Sequence, residues 1–482
     1  MRNVLLQALG VAAAMGVGVG HTGAEDPPPA PAVLPVVLAP IRDGVREAFA
    51  AEGGLPVRMA FEADKVQVVR SSAFWEQRRN YTYNPDGTSK STSSEATRLE
   101  YQRAYNAFFD LPSVPGFEFD VSGPDPLAYP DPLAYLPEVG GGFGLSLGGR
   151  VTDQVAKSLA AQPRLVALCL NGSWNWITDA GWRTLGAHPG LTVVQFDDRF
   201  VDYSTPATPA LGPTRDLKRF TPAATAGLGK LRNVRILNVV SCNPDWAKVD
   251  LRECSGLSIL NIHDSVIKPT DVGFLSGAGR LTELRITGSD VDDQIAPHLS
   301  KMRLERLDLS RTRVGDKVLG ALGGMPGLET LDLAGCDRIG AEGFAALPRL
   351  RALRSLTVAR CPEFGDAQAA RLSELGRLVS LDIRGTAVKY DGLASLGACP
   401  RLRTLVVSAK TMDSPERMLA TVADRLPQVR TLTVVGLERL AVGEFRRAVA
   451  AAPKRFTLLG APTESETELV IACTPPPAPP RR

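Results

Sequence analysis

The sequence predicts an α/β solenoid: stacked strand–turn–helix repeats with a parallel concave sheet and convex helices, preceded by a small α+β cap. Three observations carry this. Leucine is uneven, with 13 before residue 151 and 46 after it, so the last two thirds of the 482 residues obey a rule that the first third does not. One frame, L-x-x-L-x-L-x-x-C/T/S, recurs at near-constant spacing through the leucine-rich part. The 44% hydrophobic and 22% charged residues are those of an ordinary globular chain, which excludes a polytopic membrane protein and a wholly disordered one. The 55 Lys+Arg against 52 Asp+Glu leave a net charge of +3, too balanced for the basic face that phosphate backbones need, so nucleic acid is not an expected partner.

Taken in order, Met1 to Ala24 reads as an export signal: Arg2 is the positive end, Val4 to Gly20 the apolar stretch and Thr22-Gly23-Ala24 the small-residue cleavage site. The mature chain would begin at Glu25, without a membrane span, and would be extracytoplasmic: periplasmic, in the cell envelope or secreted. Residues 25–40 hold six prolines and form an extended spacer. Residues 41–137 are a small non-repeat α+β or capping region, with helices expected over Ile41–Glu52 and Leu99–Phe109 and strands over Val57–Phe61 and Val66–Val69. The duplicated Asp125-Pro-Leu-Ala-Tyr129 and Asp131-Pro-Leu-Ala-Tyr135 give a Pro-rich connector.

The repeat domain covers residues 143–459. Leu328-Glu-Thr-Leu331-Asp-Leu333-Ala-Gly-Cys336 states the frame, and further copies start at Leu165, Leu191, Val234, Leu257, Leu281, Leu304, Leu353, Leu378, Leu402 and Val429. From Val234 the starts are 23, 24, 23, 24, 25, 25, 24 and 27 residues apart, and a half-copy, Leu145-Ser-Leu147, caps the array. Within a copy, alternation around Leu331 and Leu333 predicts a short strand with both leucines inward. Ile339, Phe344 and Leu347 follow at helical spacing. No repeat can bury its own leucines, so neighbours must stack.

These residues resemble leucine-rich repeats, which implies a horseshoe that acts by binding. The ninth frame position carries Cys242, Ser265, Ser289, Thr312, Cys336, Cys361 and Thr386, similar to the cysteine-containing type seen in F-box adaptors and large bacterial repeat proteins. The run T-x-V-x-x-x-G-L from Thr386 to Leu393 resembles the planctomycete version.

Between the copies at Leu191 and Val234 the spacing jumps to 43, and Thr205-Pro-Ala-Thr-Pro209 marks an inserted loop. Nearby, Trp174, Trp176, Trp182, Phe196, Phe200, Tyr203 and Trp246 gather; they either fill a wide early repeat or, through Trp174, Trp176 and Tyr203, make a binding edge. Residues 460–482 form a Pro-rich tail expected to be disordered.

Catalytic and metal chemistry is not what this sequence offers. The four histidines lack metal-ligand spacing, the seven cysteines lie singly, and no cofactor is expected. Gly144-Leu-Ser146-Leu-Gly148 spells the letters of a nucleophile elbow, but a glycine run stands where that motif needs a buried strand. The concave column says more. The residue between the second and third leucines of each copy should face solvent, giving Asn238, Asn261, Arg285, Asp308, Asp332, Thr357, Asp382, Val406 and Thr433, flanked by Arg306 and Arg384. Asp308 and Asp332 fall side by side, with Arg285 and Arg306 available to pair with them.

The partner-binding candidates are therefore Arg285, Arg306, Asp308, Asp332, Asp382 and Arg384 on one face and Trp174, Trp176 and Tyr203 on the other. The expected function is an exported, non-enzymatic protein-binding scaffold whose ligand is an unidentified protein. The alternatives are an intracellular F-box-like ubiquitin-ligase substrate adaptor and an enzyme with an unrecognised N-terminal domain.

Overall fold

The computed structural model describes strands at 57–62, 65–69, 82–83, 89–90 and 116–121, and then residues 143–474 except 150, 172–173, 198–219, 413, 438, 453–454 and 460–467. The signal, the spacer, both helices expected in the cap, the Pro-rich connector, Tyr203 and residues 475–482 lie outside the described residues. The chain divides into two units, Met1–Val234 and Arg235–Arg482.

In the first unit the two expected cap strands are present. β1 (Val57–Glu62) and β2 (Lys65–Val69) form an antiparallel hairpin, and a short pair follows in β3 (Thr82–Tyr83) and β4 (Ser89–Lys90). A strand that the sequence reading missed, β5 (Gly116–Val121), runs parallel between β1 and β6 (Phe143–Gly149), the expected half-copy. Parallel pairing then continues to β7 (Leu165–Asn171) and β8 (Val193–Asp197). The cap is thereby joined to the repeats strand by strand, which closes an edge that a solenoid would otherwise leave unpaired.

Helices return the chain between these strands: α1 (Asp153–Ala160), α2 (Asp179–Gly186) and α3 (Pro222–Leu228). Thr178 and Thr221 cap the last two, accepting from the N–H groups of Ala180 and Ala224, and Pro222 occupies the first turn, where no donor is needed. Wholly buried His188 is structural. Its Nδ1 accepts from the N–H groups of Gly190 and Leu191, so Nε2 carries the proton and donates to the Gln162 carbonyl at 2.9 Å.

The second unit contains nine parallel strands in unbroken register: β9 (Ile236–Val240), β10 (Ile259–His263), β11 (Glu283–Thr287), β12 (Arg306–Asp308), β13 (Thr330–Asp332), β14 (Ser355–Thr357), β15 (Ser380–Asp382), β16 (Thr404–Ser408) and β17 (Thr431–Val435). Every copy of the frame thus supplies one strand. Leu328, Leu331 and Leu333 are wholly buried, as are their equivalents in the neighbouring repeats. Each such leucine is worth roughly 1.5–3 kcal/mol, so the inward ladder dominates stability.

The return segments correct the expectation of a helix in every copy. The copies at Val234 and Leu257 return through 3-10 turns, Trp246–Lys248 and Pro269–Gly277, the second carrying Gly273 and Gly277, which disfavour an α-helix there. Later copies carry short helices: α4 (Ala296–Leu299), α5 (Asp316–Leu322), α6 (Ala341–Phe344), α7 (Asp366–Arg371) and α8 (Tyr390–Ser395). Among the described helices of these later copies, α9 (Pro415–Arg425), in the 27-residue copy, and α10 (Arg439–Ala451), in the last, exceed two turns. Arg455 closes the C-terminal end of α9, its guanidinium donating to the carbonyls of Val422 at 3.2 Å and Leu426 at 2.7 Å.

The disordered tail needs correcting too. β18 (Phe456–Leu459) is followed by β19 (Glu468–Cys473), which lies antiparallel between β17 and β18. The apolar run Leu-Val-Ile-Ala was hidden beside the prolines that follow it. It has a reason to fold, since β17 would otherwise expose its ladder groups, and Ile471 and Cys473 are buried by the pairing.

Two devices hold successive repeats in step. The eighth frame position is left-handed at Ser241, Asp264, Gly288, Arg311, Gly335, Arg360, Gly385 and Gly436, with φ between 50° and 73°. At the ninth, small buried groups satisfy nearby carbonyls in several copies: Cys336 Sγ donates to Leu309 at 3.1 Å, Cys361 Sγ to Leu333 at 3.1 Å and Thr386 Oγ1 to Ile383 at 2.7 Å, whereas the Ser265 and Ser289 hydroxyls are buried without a hydrogen bond to the described residues. All seven cysteines are buried thiols, in keeping with packing rather than redox or metal chemistry.

Candidate functional site

The outward side of the second unit's sheet presents three rows, at frame positions three, five and seven. The fifth-position column is aligned as the spacing predicts: Asn238, Asn261, Arg285, Asp308, Asp332, Thr357, Asp382, Val406 and Thr433 are paired in succession. Its first two members, however, do not face solvent. Asn238 is wholly buried and Asn261 is 8% exposed, and Asn261 Nδ2 donates to Asn238 Oδ1 at 2.8 Å, so this amide bond is spent inside the fold while Asn261 Oδ1 is left buried without a partner among the described residues. The open face begins at β11.

Nor do Arg285 and Arg306 pair with the aspartates. Both reach Glu283, at 2.6 and 3.2 Å, and Glu283 is only 6% exposed. A carboxylate that far from water needs its cations close, so two adjacent strands are tied to it. The sequence reading missed Glu283 because it occupies the third frame position, one row away from the column that was followed.

The aspartates are held by backbone. Asp308 Oδ1 accepts the Ser310 N–H at 2.9 Å, Asp332 Oδ1 that of Ala334 at 2.8 Å and Asp382 Oδ1 that of Arg384 at 3.1 Å. Each closes the turn that leads to the left-handed eighth position. Asp382 also pairs with Arg384 Nε at 3.0 Å. One oxygen of Asp308 and of Asp332 is therefore structural, and these residues are half-buried; both oxygens of Asp382 are engaged and its side chain is only 13% exposed.

A hydroxyl row also escaped the sequence reading. Thr330, Ser355, Ser380, Thr404 and Thr431 occupy the third frame position on consecutive strands, paired in register and half-exposed. The signal was present, since these residues stand two after each frame start. From β13 to β17 the third and fifth rows are thus built of short polar groups and carboxylates with Val406 among them, over which another polypeptide can approach closely.

The aromatic edge is mostly core. Trp174 is wholly buried, with ring centroids 5.8 Å from Phe196 and 4.9 Å from Phe220, and Trp182 lies 5.7 Å from Phe196. Trp174 therefore packs the first unit, because a wide early repeat needs large rings to fill it. Trp176 is half-exposed. In the second unit Trp246 is buried against Phe274 at 4.8 Å.

Among the described residues, no group of three His, Cys, Asp or Glu side chains could hold a metal ion, and no helix is long and apolar enough to cross a membrane. A hollow of about 200 Å³ between α2 and α3, lined by Asp179, Trp182, Arg183, Ala226, Gly227 and Lys230, falls short of the roughly 300 Å³ at which small-molecule pockets begin.

A family model described as Leucine Rich repeat matches residues 326–347, which run from the turn before β13 to the end of α6 and so span one strand–turn–helix unit of the series. The chain is a leucine-rich repeat protein. Its fold class is the expected α/β solenoid of that type, with a parallel sheet and helices alternating along the chain. Among solved structures, this leucine-rich repeat protein is similar to an internalin (inlF) from Listeria monocytogenes str. 4b F2365, with 15% identity, TM-score 0.37, and 61% of this chain and 74% of that one covered. It is also similar to internalin C2 (inlC2) of the same strain, with 21% identity, TM-score 0.29 and coverage of 38% and 74%. A third similar structure is the yeast Rad7 and Elc1 complex, with 16% identity, TM-score 0.34 and coverage of 59% and 79%. None of the curated proteins compared matches the chain.

Proposed function

We propose that this leucine-rich repeat protein is a non-enzymatic scaffold that holds a protein partner on the outward face of β11 to β17, and that it works outside the cytoplasm. The observation that carries the reading is the register of that face: Asp308, Asp332 and Asp382 stand in one column beside the hydroxyl row from Thr330 to Thr431. Such a face is broad, polar and without a deep hollow, which suits a protein better than a small molecule. Asp308 uses one oxygen to close its turn, and its other oxygen would receive a cationic group of the partner, whereas both oxygens of Asp382 are engaged by Arg384. Export is supported by the signal pattern from Met1 to Ala24.

The test is affinity capture from envelope extract with the full chain and with Asp308→Asn plus Asp332→Asn. Asparagine keeps the Oδ1 that accepts the turn N–H and removes only the charge. Capture should weaken by at least about tenfold, roughly 1.4 kcal/mol, with an unchanged melt. Undiminished capture would remove the acidic column from the site. Mass spectrometry of the native amino terminus should find Glu25 first; intact Met1 on a cytoplasmic protein would instead support the F-box-like adaptor reading.

A further inference from the structure

We infer that the edge from which the chain turns into β14, β15 and β16 is a second contact surface, one that takes an acidic segment of a protein partner; this rests on the protein-binding reading above. Six arginines lie on this edge of the C-terminal repeats: Arg349, Arg351, Arg371, Arg377, Arg401 and Arg425. All are exposed, and no guanidinium among them has an ion pair or hydrogen bond to the described residues.

Backbone pairing stacks them. The N–H groups of Val379 and Ser380 donate to the Arg354 carbonyl, those of Arg403 and Thr404 to Val379, and those of Arg430 and Thr431 to Arg403. The turns just before these residues therefore follow one another at the strand spacing, about 4.8 Å. Other arginines of the same edge are already employed: Arg354 pairs with Glu329 at 3.5 Å, and Arg403 Nη1 donates to the carbonyls of Pro400, Leu402 and Gln428. Structural need thus accounts for these arginines; of the six, Arg349, Arg371 and Arg425 lie in last helical turns, where a cation is favoured, and Arg351, Arg377 and Arg401 have no such role. Glu374 and Asp424 are the nearby acids in sequence, so the edge is strongly cationic. At the opposite end of the same repeats Asp337, Glu363 and Asp366 alternate with Arg338, Arg360 and Lys389, and the charges balance.

The side-chain type narrows the ligand. No lysine occurs between Lys317 and Lys389, so most of the edge presents guanidinium forks, which match carboxylates in two parallel hydrogen bonds. A single-stranded nucleic acid would also want aromatic platforms for its bases; Phe344 and Phe364 are buried, and half-buried Tyr390 starts α8 beside Lys389, at the opposite end, with Arg417 over its ring. Carboxylate-rich polypeptide fits better.

Fluorescence anisotropy of a labelled polyglutamate peptide with the full chain at physiological ionic strength tests this. Arg351→Glu, Arg377→Glu and Arg401→Glu together should weaken binding at least about tenfold, and the same three positions as Gln should weaken it less. Arg338→Glu with Lys389→Glu, at the opposite end, should leave it within about twofold. Asp308→Asn with Asp332→Asn should leave it unchanged, so loss of partner capture with intact polyglutamate binding counts against the sheet face alone. Equal losses at both ends, no polyglutamate binding by the unaltered chain, or tighter binding of a single-stranded oligonucleotide of equal charge would each overturn the assignment.

Discussion

Asp316 of one repeat occupies the space that a side chain on Gly343 of the next would need. Its Oδ1 accepts the Gly340 N–H at 2.7 Å, and a Cβ built on Gly343 would stand inside contact distance of that oxygen. Asp366 with Lys389 and Gly392, and Asp153 with Thr178 and Gly181, repeat the arrangement, so at these three junctions an acid-and-glycine pair locks one helix start to the next. Gly343→Ala should therefore cost about 1–3 kcal/mol in urea melts. The cost should shrink when Asp316→Ala is combined with it, and strictly additive losses in the cycle would show that the two residues do not meet.

The inward ladder should be the larger contributor. Leu331→Ala is expected to cost roughly 2–5 kcal/mol, because Leu331 is wholly buried. Asp332→Ala should cost about 1 kcal/mol through the lost Ala334 bond, while Asp332→Asn should cost little. Denaturant melts in which Asn and Ala behave alike would remove the turn from Asp332's duties.

At the eighth frame position, Gly385 has φ +69° and a Cβ there would meet Arg360 Cγ at 3.3 Å. Gly385→Ala should cost about 1–2 kcal/mol. Gly376, with nothing within 4 Å of its Cβ position, should accept alanine within about 0.5 kcal/mol, and thermal melts of the pair separate backbone strain from simple loss of a glycine.

Burial raises the thiols. Desolvation pushes Cys336 and Cys399 up to about 11 and Cys361 up to about 12. A thiol whose folded pKa is raised binds its proton more tightly when folded, so this contribution is complete below the ordinary value near 9 and is lost as pH climbs toward 11 and 12. Stability should fall over that alkaline window, less so in Cys361→Ser than in the parent chain. At neutral pH an alkylating reagent should label these thiols only after unfolding; rapid labelling of the native protein would contradict their burial.

Truncation after Leu459 removes β19. The chain should then lose stability and self-associate, because β17 would be left as a bare edge. Gel filtration showing an unaltered, equally stable monomer would return residues 460–482 to the status of a dispensable tail.

How much was legible follows from where the information sits. The frame starting at Leu328 and its ten fellow copies fixed the strands, their register and the inward leucines, because a strand's period of two and the repeat's near-constant length leave no other phase that buries Leu331 and Leu333 together. The column from Arg285 to Thr433 followed from that phase. What surrounds each column member did not. Glu283 claims Arg285 and Arg306, Asn238 and Asn261 turn to each other, and Asp308, Asp332 and Asp382 are engaged by the backbone two residues on. Those choices depend on distances across strands and on local access to water, which no single repeat encodes. Trp174 shows the same limit: an aromatic beside an insertion reads equally as surface or core in sequence, and only packing against Phe196 and Phe220 decides for core. The repeat determined the ladder; tertiary packing decided which of its polar rungs are spent on the fold and which remain for a partner.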